Sequence, residues 1–398
     1  MQNANNLQAN NPTMPNPALP FWRLSAFYFF YFAVLGGFMP YWSLYLQHLH
    51  FDEKAIGQLL AIGMLTRIVA PNFWGYLADT TGKRIELVRF GAVMISVFWL
   101  GIFFVGHSFY LMALVLFAYS FFQNAILAQF EAVTITHLGQ DRDLYGKIRL
   151  WGSVGFIATV AGFGYLFDVI SIHYLPVVLL ACAVIAAVFS FSVPRPAQET
   201  KTKETHTIWH TLKKPLVFSF FIVHFLLQFS HAPYYSFYSV YLESHGYSRG
   251  VIGLLWALGV LAEVIAFTQS HRLLQKFTEY QLVLSCLLLA SLRWLVIAFA
   301  VDTPALLWMV QVLHAFSFAI FHAAAMSFIY REFSQGQQGQ GQAIYSALWG
   351  LGVAVGSWLA GMVWVPLGAT SIFCIAAFSC WVAMMVLRFG YQAQQKTY

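Results

Sequence analysis

The chain has 398 residues, of which 60% are hydrophobic, 18% aromatic and only 9% charged. An ordinary soluble chain carries about 25% charged residues. A soluble fold of this size therefore lacks the charge to cover its surface, and disorder, which needs low hydrophobicity and high net charge, is excluded as well. The formal charge of +6 reflects loop topology rather than a nucleic-acid footprint, because no run of Lys or Arg is interleaved with stacking aromatics outside the apolar stretches. The composition leaves a polytopic helical membrane protein.

Residues 1–20 are rich in Asn and Pro, carry no basic n-region and read as a flexible cytoplasmic tail. Stretches long enough to cross a bilayer, about 20 residues, then fall at 22–47, 55–77, 85–105, 108–138, 146–168, 173–193, 214–243, 249–271, 279–300, 303–331, 341–365 and 367–389. None shows the short dyad alternation of a transmembrane β-strand. Lys and Arg favour cytoplasmic loops. With a cytoplasmic N-terminus, sixteen of the 21 basic residues fall on that side, only Lys54 and Arg249 fall opposite, and Arg67, Arg149 and Arg293 lie in or at the edge of spans. That asymmetry supports an even number of spans, with both termini expected in the cytoplasm. The four cysteines, Cys182, Cys286, Cys374 and Cys380, all lie in apolar stretches and read as small packing residues.

A polar loop at 194–213 divides the chain into an N-terminal six-helix bundle, 21–193, and a C-terminal one, 214–391, followed by a short cytoplasmic tail at 392–398. The halves repeat. A shift of 196 lays Tyr45-Leu46 on Tyr241-Leu242, Ile56-Gly57 on Ile252-Gly253, and Gly63 on Gly259. A shift of 198 lays Leu150-Trp151-Gly152 on Leu348-Trp349-Gly350. Six spans return the chain to the same side, so the halves are like-oriented. Such parallel repeats place a solute site at mid-depth between them. The glycines of the fifth and eleventh spans (Gly152, Gly155, Gly162 and Gly164; Gly350, Gly352 and Gly356) follow no strand, and read as close helix packing rather than a dinucleotide turn.

The loop after the second span reads Gly75-Tyr76-Leu77-Ala78-Asp79-Thr80-Thr81-Gly82-Lys83-Arg84. Gly75 and Gly82 allow close approach and a sharp turn, Asp79 can accept hydrogen bonds at a helix terminus, and Lys83 and Arg84 stay on the cytoplasmic face. This stretch resembles the gate signature of the major facilitator superfamily, G-x-L-x-D-x-x-G-[RK]-[RK]. The corresponding stretch of the second half, His271 to Tyr280, has lost the Asp and both glycines. Tyr145 to Ser153, His231-Ala232-Pro233-Tyr234-Tyr235, Leu261-Ala262-Glu263-Val264 and Leu292-Arg293-Trp294 are similar to the phenylpropionate permease branch, which is related to lactose permease and the nucleoside–proton symporters. The resemblance covers nearly the whole chain after residue 21. It implies an all-α integral membrane fold, twelve transmembrane helices in two parallel six-helix bundles, in a bacterial inner membrane.

Charges within spans are costly and mark a site or pathway. Here they are Arg67, Glu131, Arg149, Glu263 and Arg293. The 196 shift makes Arg67 and Glu263 equivalent, so opposite charges are expected to face each other across a central cavity. The resemblance to lactose permease implies that Glu131 and Arg149 are an acid–base pair engaging substrate, that Glu263 and Arg293 belong to the coupling region, and that His314 is the tenth-helix histidine. Ser317 stands where that permease has a carboxylate. Proton coupling then falls to Glu263, Glu131 or a histidine.

The seventh span carries a polar stripe, His224, Gln228, His231, Tyr235 and Tyr238, and the tenth carries Gln311, His314, Phe318 and His322. Both should face the bundle interior or a watery cavity. The equivalent stripe of the first span, Tyr28, Phe32, Leu35, Met39 and Trp42, is apolar and aromatic. One greasy wall and one polar wall suit an aromatic carboxylate, with Arg67, Arg149 or Arg293 as its anion partner. The expected substrate contacts are Arg67, Glu131, Arg149, His231, Tyr235 and Trp42, and the expected proton-coupling residues are Glu263, Arg293, His314 and His322.

The function expected is proton-coupled symport of a small aromatic carboxylate, such as 3-phenylpropionate, into the cell by alternating access. A sugar or nucleoside cargo is the alternative within the same fold. An integral-membrane enzyme is disfavoured by the repeat, the gate motif and the lack of a sizeable extramembrane domain. No G-x-x-x-x-G-K-[ST] loop is present for nucleotide-driven transport, and His48-Leu49-His50 has too few neighbouring ligands for a metal. No cofactor is expected. The expected partners are a small-molecule substrate, protons and the lipid bilayer, with the protein a monomer.

Overall fold

A computed structural model describes residues 19–196 and 208–395. The tail at 1–18, loop residues 197–207 and the last three residues lie outside the described set. The first half comprises α1 (Phe21–His48), α2 (Glu53–Thr81), α3 (Arg84–Leu100), α4 (Phe109–Leu138), α5 (Tyr145–Val169) and α6 (Leu175–Ser192). After a short helix, Trp209–Leu212, the second half comprises α7 (Pro215–Ser244), α8 (Arg249–Lys276), α9 (Glu279–Phe299), α10 (Pro304–Glu332) and the stretch Gln338–Gln395. That stretch is two helices, α11 (338–367) and α12 (369–395). Gly368 divides them with φ 76° and ψ 159°, two residues after Pro366. A left-handed glycine reverses the chain with no loop at all, and the twelve expected spans are present.

Helices such as α3, α6 and α9 turn apolar side chains outward. Phe90, Val97, Val188, Phe191, Leu288 and Leu292 are all exposed. An outer surface of this kind is stable only in lipid, and the chain is a multi-pass membrane protein. All four cysteines are unpaired.

The repeat seen in the sequence has a structural meaning. A side chain at Gly57 would meet the Ser357 carbonyl at 2.6 Å and Gly361 Cα at 2.8 Å. A side chain at Gly253, its equivalent, would meet the Val160 carbonyl at 2.3 Å. The halves thus close on each other twice, α2 on α11 and α5 on α8, with only glycine allowing the approach. Both seals lie at the end opposite the termini, because α1 begins at one end and α2 and α8 begin at the other.

Asp168, at the end of α5, adds a polar clasp there. Its Oδ1 accepts the Arg249 backbone N–H at 2.8 Å and its Oδ2 accepts that of Gly250 at 2.9 Å. A carboxylate here satisfies two of the orphan donors at the start of α8 and meets the positive end of its dipole. The Arg249 side chain binds Glu243 Oε1 at 2.7 Å and returns to the Phe167 carbonyl at 3.1 Å.

At the terminal end each half ties to itself. Arg23 and Arg89 donate to the last carbonyls of α6, at Ser192 and Val193, and Arg331 pairs with Glu279 and Glu332. Among the packing glycines, Gly155, Gly352 and Gly356 do sit against neighbouring helix backbones, whereas Gly162 faces open space.

Asp168→Ala removes two charge-assisted hydrogen bonds across the seal. It should shift the conformational equilibrium roughly tenfold toward the state open at that end. Spin-label distances between the α5–α6 and α7–α8 loops should lengthen in a matching fraction of molecules. An unchanged distance distribution would show that the clasp does not hold the seal.

Candidate functional site

A cavity of about 310 Å³ lies between the halves at mid-depth, below the seals. That is the small end of the range for small-molecule sites, about 300–1,000 Å³. Both halves line it, and the expected division into a greasy and a polar wall is not what forms. Phe32, Leu35 and Met39 of α1 do supply apolar wall. The first half also brings Tyr31, Arg67, Ser120, Gln123, Asn124 and Arg149, and the second brings Tyr234, Tyr235, Trp256, Glu263, His314, Phe318 and Trp349. Each wall is mixed, because α2 and α4 carry polar groups that a comparison of α1 with α7 alone leaves out.

Of the expected site residues, Arg67, Arg149, Tyr235, Glu263 and His314 line this cavity. Trp42 does not. It is fully buried behind the wall, stacked among Phe38, Tyr45 and Trp99. The α7 stripe is indeed buried, but it packs into the second half rather than on the cavity. His224 Nε2 donates to the Tyr345 backbone carbonyl at 3.0 Å, since a carbonyl only accepts. His231 Nδ1 donates to the Leu227 carbonyl at 2.8 Å, and its Nε2 meets Ser317 Oγ at 3.1 Å. Only Tyr235, with its unforeseen neighbour Tyr234, reaches the cavity from this helix. His322 also lies behind the wall, its Nδ1 3.2 Å from the Tyr345 hydroxyl.

The three candidate anion partners have different surroundings. Arg293 is fully buried, off the cavity, with Nη2 donating to Gln311 Oε1 at 3.0 Å and Nη1 meeting His314 Nδ1 at 2.9 Å. Its guanidinium lies over Tyr234 and Trp294. Arg149 stands beside Glu131, Nε to Oε1 3.7 Å, with its guanidinium over Phe32. Glu131 and Arg149 are therefore paired, as the resemblance implies, with Arg149 alone reaching the cavity wall. Arg67 has no acidic partner among the described residues. Its guanidinium carbon sits 3.4 Å from the centroid of the Trp349 ring, and its Nε is buried without a hydrogen bond.

Glu263 does not pair with Arg67 across the cavity. Its Oε1 lies 2.7 Å from His314 Nε2. A guanidinium has only donors, so His314 Nδ1 accepts from Arg293, and Nε2 therefore carries the ring proton and donates it to Glu263. This array extends to Gln311, which donates to the Tyr238 hydroxyl at 2.6 Å. The helix is broken where it is needed. α10 runs Pro304–Gln311, loses α-helical bonding, makes a π-turn at Phe316–Ile320 and resumes at Phe321–Glu332. That break re-aims His314 at Glu263, and no periodicity in the sequence marks it.

The gate motif forms a turn between α2 and α3. Gly82 is the left-handed C-cap, φ 64°, which its position in the motif requires. Asp79 does not cap a helix N-terminus. It ion-pairs with Arg84, which also donates to Gln129 of α4. Lys83 is exposed at the N-cap of α3. Gly75 permits no close approach, since a side chain there would find its nearest neighbour at an ordinary 3.7 Å.

Twelve helices in two like-oriented halves, sealed at one end over a central cavity with buried charges, define a membrane transporter of the major facilitator superfamily. The chain belongs to the MFS_1-like family, which it matches over residues 21–375. It is 30% identical, over 86% of its length and 90% of the relative's, to an Escherichia coli (strain K12) protein described as a probable 3-phenylpropionic acid transporter. It is 26% identical to the maltose permease of Geobacillus stearothermophilus, over 85% of each chain. Among solved structures, a point-mutant form of the nucleoside transporter NupG superposes with a TM-score of 0.84 at 17% identity, covering 93% of this chain and 99% of that one. A bacterial homologue of the lysosomal transporter Spinster gives 0.69 at 13% identity, covering 96% of each chain. Both share the fold.

A cation half-buried in a cavity wall without a counter-ion destabilises the ligand-free protein. Arg67→Met should raise its melting temperature by about 2 °C or more and abolish any stabilisation by small organic anions. A lower melting temperature with anion stabilisation intact would show that Arg67 is satisfied within the protein.

Proposed function

We propose that this protein imports a small aromatic carboxylate together with protons, by alternating access, across a bacterial inner membrane. Arg67 is the observation that carries the reading. It faces the cavity with no carboxylate of the described residues beside it, while Arg149 has Glu131, and Arg293 is held by Gln311 and His314. An anionic substrate supplies the missing charge, and apolar side chains from α1, α2 and α4 enclose its ring. The relative described as a 3-phenylpropionic acid transporter supports an arylpropanoate as the cargo.

In this reading both termini are cytoplasmic, so the seals of α2 with α11 and α5 with α8 close the outer end, and the cavity faces inward. The two six-helix units, 21–193 and 214–391, act as monomeric rocking bodies, with the Gly82 turn as an element of the inner gate. Glu263 carries the proton. In the bonding pattern of the site His314 is already a neutral bridge, donating to Glu263 and accepting from Arg293. Protonating Nδ1 would set two donors against each other. Protonating Glu263 instead removes a buried negative charge, and the carboxylate that Ser317 does not provide is not required. Arg293 tunes this pair from behind, while His231 and His322 support the wall.

Purified protein in liposomes with an imposed pH gradient should accumulate 3-phenylpropionate, and excess unlabelled aryl acid should compete where sugars and nucleosides do not. Glu263→Gln should lose gradient-driven accumulation while keeping counterflow exchange. Full accumulation by that variant would remove Glu263 from the coupling role, and competition by a sugar or nucleoside would reassign the cargo.

A further inference from the structure

The repeated tripeptide Leu150-Trp151-Gly152 and Leu348-Trp349-Gly350 has no part in the mechanism above, and its two copies sit differently. Trp151 meets Trp22 edge-on, with centroids 5.7 Å apart, at the end of the first half. Trp349 lies on the cavity wall under the Arg67 guanidinium, 3.4 Å from its carbon. Its indole N–H is buried with no hydrogen-bond partner. The ring is thus engaged through its face rather than its polar edge.

Gly350 makes the stack possible. A side chain there would come within 3.0 Å of Arg67 Cβ and 3.1 Å of the Met64 carbonyl. α11 therefore passes close enough to α2 for the neighbouring indole to lie flat against the guanidinium. A guanidinium stacked by its face keeps its edge free, and the edge carries the paired donors that match a carboxylate. Of the three Arg67 nitrogens, Nε is sealed without a partner, while both Nη atoms escape that condition and make no hydrogen bond among the described residues.

We infer that Trp349 is the positioning residue for substrate specificity: it clamps the face of Arg67 so that the Nη edge is presented to a carboxylate in the cavity. The inference rests on the functional reading above and deepens it. Arg67 belongs to the first half and Trp349 to the second. The carboxylate site is therefore complete only while α2 and α11 meet, and a neutral isostere gains nothing from it.

Initial-rate uptake into liposomes tests this, with 3-phenylpropionate as substrate and 3-phenylpropanamide as the neutral competitor. Trp349→Leu should raise KM for the acid about tenfold with the maximal rate held within about threefold, the signature of lost binding common to ground and transition states. The preference for acid over amide should fall by a similar factor, and Trp349→Phe, which keeps a stacking face, should restore both to within about threefold. If Trp349→Leu leaves KM unchanged, or weakens acid and amide alike, the ring only fills space and the inference is overturned. If Trp349→Leu is not recovered from membranes, Trp349→Met set against Trp349→Phe makes the same comparison. Should the wild-type protein take up no aryl acid, the functional reading itself falls, and this inference with it.

Discussion

The organising constraint is the cost of an ionised side chain away from water. Arg293 meets that cost with His314 and Gln311, and Arg149 meets part of it with Glu131. Among the described residues, Arg67 meets it with the face of an indole and no acidic partner. A cation–π contact contributes roughly 0.5–2 kcal/mol, which is smaller than the several kcal/mol that desolvating an ion costs. In the proposed reading the site is built incomplete, and an anion is the chemical species that completes it. Trp349, brought in by the other half, lies against that charge at the cavity wall between the halves.

The proposed alternating access places a second demand on the same surfaces. Two halves that must separate cannot be joined by large interlocking side chains. Gly57 against Gly361 and Gly253 against Val160 give backbone-to-backbone contact, which is tight yet leaves little to disentangle. The Asp168 clasp on the start of α8 adds orientation through hydrogen bonds that water can replace when the seal opens. Glu263 and His314 lie on α8 and α10 within one half. In the proposed mechanism a change of charge there acts within that half without crossing the seal.

Much of the fold was legible in the sequence. Composition demanded a membrane protein, apolar stretches of bilayer-crossing length marked the spans, and the 196-residue shift marked as equivalent the two glycines that prove to form equivalent seals. The pairing of Glu131 with Arg149 was carried by family resemblance. What stayed hidden depends on rotation and depth. Trp42 shares a stripe with Phe32 and Met39, yet one turn further along α1 it points into an aromatic cluster rather than the cavity. The α7 histidines are polar and interior, as lipid demands, but the interior they face belongs to their own half. The break in α10 comes from backbone bonding that no side-chain period records. Ser120, Gln123 and Asn124 were a readable signal, a polar patch at helical spacing in an apolar span. Trp349 was visible only as half of a repeat, because stacking on Arg67 joins residues far apart in the chain.

The central claim is that Arg67 is the partner of the substrate's carboxylate. A structure of the protein with 3-phenylpropionate bound tests it most directly. The carboxylate oxygens should lie about 3 Å from the Arg67 Nη atoms, with the Trp349 ring still flat against the guanidinium and the phenyl group between α1 and α4. A carboxylate seated on Arg149 or Arg293, with Arg67 still stacked and untouched, would contradict the claim.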